Sequence, residues 1–564
     1  MRNVARRLVA VVLAAALLSG CDAGGPPPGP ASAPSRLSAA LPERPAAPAV
    51  AEVRAQLADS WVTDGRRGYF VDDAWSDARS PFSLYDTYWQ LRLARSDHPD
   101  AAVLDRAAVA RWLPAALRGT HDGGSLPAMA QIGYAVDIAA MLGLPAGGAG
   151  GAIEGLRAGD RYRAGPGSAP DWGSTALAVE ALTTAGLPVP AAVTAAVRSG
   201  LTTGADAEAL LPQLRAAAAL AGAGLPRELL AARVGAAFAG LGEVPDEAPD
   251  EALDVAWLDA QARLRTAARR LGVAVPAFPV RACDGVPGGP APDPRLTFYA
   301  RHLGCARTVV PPAPPHSRAG WPAPDQIRVA QASSLAGLRL ARTLGAPDPA
   351  TADRLRATLF DVWLPAVAGT EGVAGAERTL LASRLRALAA MVAPAERARV
   401  DLALARVAPD RSDDLQRLLA LADAALLPAG PDRRAAVLRV ADAGWSAPHT
   451  GSIFAAASDE LASRLLGGDT ALHLSAMATA DSLRLSGGLY RVRGDGGGSL
   501  TATVLAAWIG GTSLPPDSWV ALGLCRSGRC GDDADPPDGT SLRVLGLIWA
   551  CAEPRCGEEV PLPL

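Results

Sequence analysis

From about Ala51 onward, apolar residues recur at i, i+3, i+4 and i+7 in Ala/Leu/Arg-rich stretches, each ended by Gly or Pro. That period gathers apolar side chains on one face of an α-helix, and the period-2 alternation of a half-buried strand is nearly missing. The chain is thereby directed to an all-α fold. Helices are expected over Leu84 to Ala94, Trp172 to Ala185, Glu251 to Leu271, Ile327 to Leu344, Ala376 to Val392, Leu415 to Leu427 and Leu500 to Ile509. Helices of this length joined by Gly/Pro turns pack as helical hairpins.

With 564 residues, 49% of them hydrophobic and 20% charged, the chain can bury substantial cores. It has no lysine, and its one asparagine is Asn3. A Schiff-base amine, a P-loop lysine, a Ser-x-x-Lys nucleophile and a Cys-His-Asn triad are all excluded. Because these absences accompany abundant Ala, Gly, Pro and Arg, they reflect a GC-rich coding bias and point to no activity.

The N-terminus carries Arg2, Arg6 and Arg7 ahead of an uncharged apolar run, Leu8 to Leu18. As a helix that run spans only ~16 Å, too short for a ~30 Å hydrocarbon core, so residues 1–20 read as an export signal. Arg6-Arg7 also permits a twin-arginine reading. Leu18-Ser19-Gly20-Cys21 resembles the lipobox of bacterial lipoproteins. The resemblance implies that Cys21 is lipidated and becomes the first mature residue, holding the protein to the outer face of the cell membrane. Loss of three Arg would take the formal charge from −3 to −6, which gives no electrostatic reason to bind nucleic acid. Residues 21–50, dominated by Gly, Pro, Ala and Ser, read as a tether of up to ~90 Å at ~3.1 Å per residue.

Six further cysteines remain: Cys283, Cys305, Cys525, Cys530, Cys551 and Cys556. An even number in an exported chain favours disulfides over a four-thiolate zinc site. Cys283 with Cys305 is the economical mid-chain pairing, and the last four leave three connectivities open. Cys556-Gly557-Glu558-Glu559 is one residue from the Cys-Gly-Glu-Gln motif of complement-type thioester proteins, but Glu559 lacks the carboxamide that a thioester needs.

Two segments repeat the pattern Ser-Leu-x-x-Thr, Ser83 to Thr87 and Ser499 to Thr503, and Asp171 to Thr175 is a looser copy. Gly68-Tyr69-Phe70 precedes the first in sequence, and Gly488-Leu489-Tyr490 precedes the second. The Ser would cap a helix, with Asp86 completing a capping box in the first copy. Similar starts recur roughly every 40–45 residues, one helical hairpin each. This arrangement resembles the repeat of the α/α-toroid superfamily of terpenoid cyclases and prenyltransferases. The resemblance implies one or two toroids of helical hairpins, with ligands at the N-terminal ends of the inner helices, and it singles out Asp72, Asp73, Tyr85, Asp86, Trp89, Trp172 and Tyr490. The Pro-rich segment 281–324 divides a first hairpin domain, 51–280, from a second, 325–564.

No Gly-x-Ser-x-Gly or His-Glu-x-x-His motif is present, and no metal or cofactor is expected. Asp72, Asp73 and Asp77 surround Trp75 in one loop, but match neither the acid nor the magnesium motif of terpenoid cyclases. The expected role is binding of an unidentified extracytoplasmic ligand or protein, or scaffolding. The alternatives are a carboxylate-dependent glycoside hydrolase or polysaccharide lyase and, further off, a cyclase-like enzyme.

Overall fold

The structure is a computed structural model. It describes residues 49–72, 82–97, 104–121, 126–204, 207–242, 255–278, 294–304, 316–322, 326–345, 348–369, 375–405, 407, 413–442, 451–494, 496–515, 518–519, 522, 525–526, 529–530 and 541–551. They are mostly helical, with a few two- and three-residue strands. All seven helices expected from periodicity are present, with ends shifted by a few residues. Among the described residues no helix is long and apolar enough to cross a membrane.

The chain opens with helix α1 (Val50–Ser60) and an antiparallel hairpin of β1 (Trp61–Thr63) and β2 (Gly68–Phe70). Ten helices follow: α2 (Leu84–Asp97), α3 (Arg106–Leu117), α4 (Ala128–Leu142), α5 (Ala149–Gly155), α6 (Trp172–Thr184), α7 (Ala191–Thr203), α8 (Ala207–Ala219), α9 (Arg227–Gly240), α10 (Val255–Arg270) and α11 (Pro294–His302). Six of them pack in a closed circuit, α2 on α4, α4 on α6, α6 on α8, α8 on α10, α10 on α11, and α11 back on α2. The intervening α3, α5, α7 and α9 lie against neighbouring members of that circuit.

A second closed circuit is built from α12 (Gln331–Thr343), α14 (Gly375–Val392), α16 (Asp414–Ala425), α18 (Ile453–Leu465), α20 (Leu500–Ile509) and α21 (Leu542–Ala550). Four intervening helices, α13 (Pro349–Thr358), α15 (Arg397–Ala403), α17 (Pro431–Asp442) and α19 (Thr470–Ser482), pack against it. Each circuit has its own core. Leu84, Ile132, Val179, Leu214 and Leu258 belong to the first, and Leu335, Leu385, Leu418, Leu461 and Leu505 to the second.

Helix starts are set by short polar side chains. Asp105, Asp171, Asp348, Asp413, Ser452, Asp469, Ser499 and Ser541 each accept a hydrogen bond from a main-chain N–H in the first turn. With asparagine effectively missing, Asp and Ser carry this role, each cap contributing about 1 kcal/mol.

The repeat has a fixed hydrogen-bond geometry. In two copies the Thr four residues after the cap donates to the cap's carbonyl, Thr175 to Asp171 at 2.6 Å and Thr503 to Ser499 at 2.8 Å. Its hydroxyl also accepts from the N–H of an aromatic residue, Tyr162 or Tyr490, at 3.0 Å in both. The first copy departs from the sequence expectation. Thr87 accepts from Trp321 at 3.0 Å, so Gly320-Trp321 takes the place that sequence order assigns to Gly68-Tyr69-Phe70. The Ser83 N–H donates to the Trp321 carbonyl, the bond that a capping box would have given to the Asp86 side chain. Gly68-Tyr69-Phe70 instead serves the second circuit, where the Phe70 N–H donates to Ser334 Oγ at 3.0 Å on α12.

Consequently Val53, Val62, Tyr69, Phe70 and Val71 pack in the second core, although they precede the first circuit in sequence. A polar seam holds them there. The Asp59 carboxylate accepts from Arg111 Nε at 2.7 Å and from Arg318 Nε at 2.6 Å, and Trp112 Nε1 donates to the Ala319 carbonyl at 3.0 Å.

Candidate functional site

The six helices of the first circuit wall a cavity of about 220 Å³. Of these, α2 and α11 run in the same direction along it. Tyr85 and Tyr88 of α2 meet Tyr134 of α4, and Tyr88 also meets Asp137, while on α11 Arg295 lies over Tyr85 and Phe298 beside Trp89. Each helix contributes side chains from its middle or C-terminal half, because apolar residues occupy the faces turned to the core and leave one polar stripe. On α10 the stripe is Asp259, Arg263, Thr266 and Arg270, at helical spacing.

Charge dominates the chemistry of the walls. Glu180 receives Arg215 in a two-pronged contact, Nε at 3.0 Å and Nη2 at 2.6 Å. Asp259 accepts from Arg263 Nε at 2.7 Å. Burial works against the Arg263 charge, but the Tyr299 phenol and Asp259 outweigh it and hold the guanidinium above its ordinary pKa. Burial also raises Tyr299 and Tyr88, keeping both phenols protonated.

A relay crosses the cavity between α2 and α4. Arg92 Nη1 donates to the Tyr88 hydroxyl at 2.6 Å, and Tyr88 donates to Asp137 Oδ2 at 3.1 Å. Burial pushes the Asp137 carboxyl above its ordinary pKa, partly opposed by Arg92 and by the Tyr88 hydrogen bond. The Arg92 guanidinium lies 4.4 Å from the Phe298 ring centre, a cation–π contact. Tyr88 and Tyr134 stack at 4.4 Å. Among the described residues neither Arg92 nor Arg270 forms an ion pair.

His302 closes the far wall. Arg269 can only donate, so its contact with Nε2 at 3.2 Å makes that nitrogen an acceptor and leaves the ring proton on Nδ1. Burial, Arg269 and Arg92 all lower the His302 pKa, which keeps the imidazole neutral.

The residues singled out by the sequence are dispersed. Trp89 lines the cavity. Tyr85 sits one turn away, its ring 6.4 Å from Trp89, and Asp86 is buried on the same helix. Trp172 lies at the start of α6 beneath Arg161, whose guanidinium is 4.6 Å from its ring. Tyr490 packs against the second core, and Asp72 is buried next to Val71 of that core. Asp73 and Asp77 lie outside the described residues, as do Cys21, Cys283, Cys305 and Cys556. Cys525 and Cys530 stand opposite each other in an antiparallel pair, β3 (Cys525–Arg526) and β4 (Arg529–Cys530), and Cys551 is buried and disulfide-bonded. Arg92, Tyr134, Asp137 and Arg263 escaped the sequence reading, which looked to helix N-termini. The signal that could have found them is a polar side chain recurring at helical spacing on an otherwise apolar helix.

Among the described residues no three His, Cys, Asp or Glu side chains come together as a metal would require. Neither a protein-family model nor a curated protein matches the chain.

Proposed function

We propose that the chain is an exported, lipid-anchored binding protein made of two α/α toroids of the terpenoid cyclase/prenyltransferase kind, with its ligand held inside the first. The observation that carries this reading is the cavity walled by α2, α4, α6, α8, α10 and α11, which is lined by Arg92, a half-buried guanidinium with no ion pair among the described residues. Convergent polar groups beside aromatic faces in a preformed hollow are the usual make-up of a small-molecule site. The lipobox resemblance at Cys21 supports attachment to the outward face of the cell membrane, and the second toroid is read as scaffold.

Thermal unfolding against a library of small polar compounds tests the ligand site. Gly133 lines the cavity, and a Cβ there would sit 3.9 Å from Leu177, so Gly133→Phe can project its ring into the space. The expected result is at least one compound that raises Tm in the wild type and not in Gly133→Phe. A library without such a compound would refute the site. For the anchor, Cys21→Ala is expected to release the protein from membranes, and retention of this variant after a carbonate wash would refute lipid attachment.

A further inference from the structure

The geometry points to a single sugar unit bearing one anionic group, carboxylate or phosphate, as the occupant of the first cavity, an inference that rests on reading the cavity as a ligand site.

Size sets the first limit. At about 220 Å³ the cavity is smaller than the ~300–1,000 Å³ of sites for drug-sized ligands. One ring with its substituents fits, whereas a long chain or an oligomer would have to extend outside.

Charge sets the second. Arg215 and Arg263 are matched by Glu180 and Asp259. Among the described residues that line the cavity, Asp137 is the one acid left to face Arg92 and Arg270, and it forms an ion pair with neither. Arg270 ends α10, where the carbonyl end of the helix itself favours a cation. Arg92 is more than a turn inside α2, beyond the reach of that effect, and its guanidinium rests on the Phe298 ring. A half-buried guanidinium with unused N–H groups suits a carboxylate or phosphate, either of which can take two parallel hydrogen bonds.

The remaining polar groups separate a sugar from an aromatic acid. Thr184 lines the cavity and is exposed. Asp137 also lines it, and among the described residues its Oδ2 takes only Tyr88 while its Oδ1 has no protein hydrogen bond, which leaves acceptor positions on both oxygens. Ligand hydroxyls would satisfy them, while a benzoate-like body would bury them unpaired, which is costly.

Isothermal titration of the full chain with sodium glucuronate, glucose 6-phosphate, glucose and sodium benzoate tests this. The expected result is saturable binding of glucuronate or glucose 6-phosphate at least about tenfold tighter than glucose or benzoate, and weakened at least about tenfold by Arg92→Gln. Whichever anionic sugar binds identifies the charged group as carboxylate or phosphate. Gly133→Phe, which leaves every charged group in place, is expected to abolish that binding and serves as second variant should Arg92→Gln unfold. Equal or tighter binding of glucose or benzoate, or binding of an anionic sugar that survives Gly133→Phe, would overturn the proposal. No binding of either anionic sugar would also overturn it. In that case a library compound blocked by Gly133→Phe would leave the cavity standing as a site for another ligand class, whereas a library without one would remove the site as well.

Discussion

The main-chain N–H of Trp321 donates to Thr87 Oγ1 at 3.0 Å, joining residues 234 apart in sequence, in the geometry that Tyr162 with Thr175 and Tyr490 with Thr503 achieve 13 residues apart. Phe70 and Ser334 form the reciprocal contact, 264 residues apart. Each circuit therefore borrows the turn that seats its first helix from chain lying next to the other, and neither sequence half contains all of its own core.

Thr87→Val keeps the shape of the side chain and removes the acceptor. Both Thr87 and the Trp321 main chain are buried, so an unsatisfied N–H is left behind, at a cost of about 1–3 kcal/mol. Because the strap holding Trp321 also carries Arg318 to Asp59, the loss is expected to reach the second core. Urea unfolding measures the cost. Hydrogen exchange is expected to show faster opening in α12 as well as in α2, and a change confined to α2 would contradict the interlock.

Two glycines in circuit helices make a contrasting pair. A Cβ on Gly337 would lie 2.6 Å from the Phe70 ring, inside any permissible contact, and Phe70 is fixed by its bond to Ser334. Gly337→Ala is expected to destabilise by about 1–3 kcal/mol through overpacking. Gly133 has 3.9 Å of clearance, so Gly133→Ala is expected to gain up to about 1 kcal/mol from helix propensity. Thermal unfolding of the two variants in parallel gives the answer, with Tm shifts of opposite sign expected.

Cys525 and Cys530 are direct partners in the β3–β4 ladder, with Arg526 opposite Arg529 as the next pair. Pairs alternate along an antiparallel ladder. Directly opposed residues of such a ladder stand about 4.5–5.5 Å apart between Cα atoms. That separation lies within disulfide range. Peptide mapping without reduction is expected to recover Cys525 joined to Cys530. A Cys525–Cys551 or Cys530–Cys551 peptide would contradict this.

Seven of the circuit helices were legible from a long apolar period, joined in some by a Ser or Asp start, as in Ser499 to Ile509. The exchange of turns was not legible. Gly68-Tyr69-Phe70 and Gly320-Trp321 are both Gly-aromatic turns, and their local chemistry does not say which Ser or Thr hydroxyl each will meet. The cavity was missed for a related reason. Periodicity shows that Arg92, Asp137 and Arg263 lie off the apolar face, but a polar stripe reads the same whether it faces solvent or five other helices. Trp89 was singled out by the toroid resemblance, and it reaches the cavity because α2 turns the stripe running from Tyr85 through Trp89 to Arg92 toward Phe298 and Tyr299 of α11.

His121 predicts a pH dependence of stability. It is buried, its Nε2–H donates to the Phe82 carbonyl at 3.2 Å, its main-chain N–H donates to Gln131 Oε1 at 2.9 Å, and its ring packs 4.8 Å from that of Trp112. Burial lowers its pKa to about 4, against an ordinary value of 6.5, while the Phe82 hydrogen bond works weakly the other way. Between those two values the unfolded chain binds a proton that the folded chain refuses, so stability rises with pH across this window. The contribution is fully present above pH 6.5 and is lost progressively as pH falls toward 4. At about 1.4 kcal/mol per pH unit, the loss is on the order of 3 kcal/mol. His121→Gln is expected to be less stable than wild type at pH 7.5, where a well-packed neutral imidazole has been replaced, and to lose much less stability on going to pH 4.5. Urea unfolding of both proteins at the two pH values measures the difference. Parallel losses in wild type and variant would show that the imidazole does not titrate in this window.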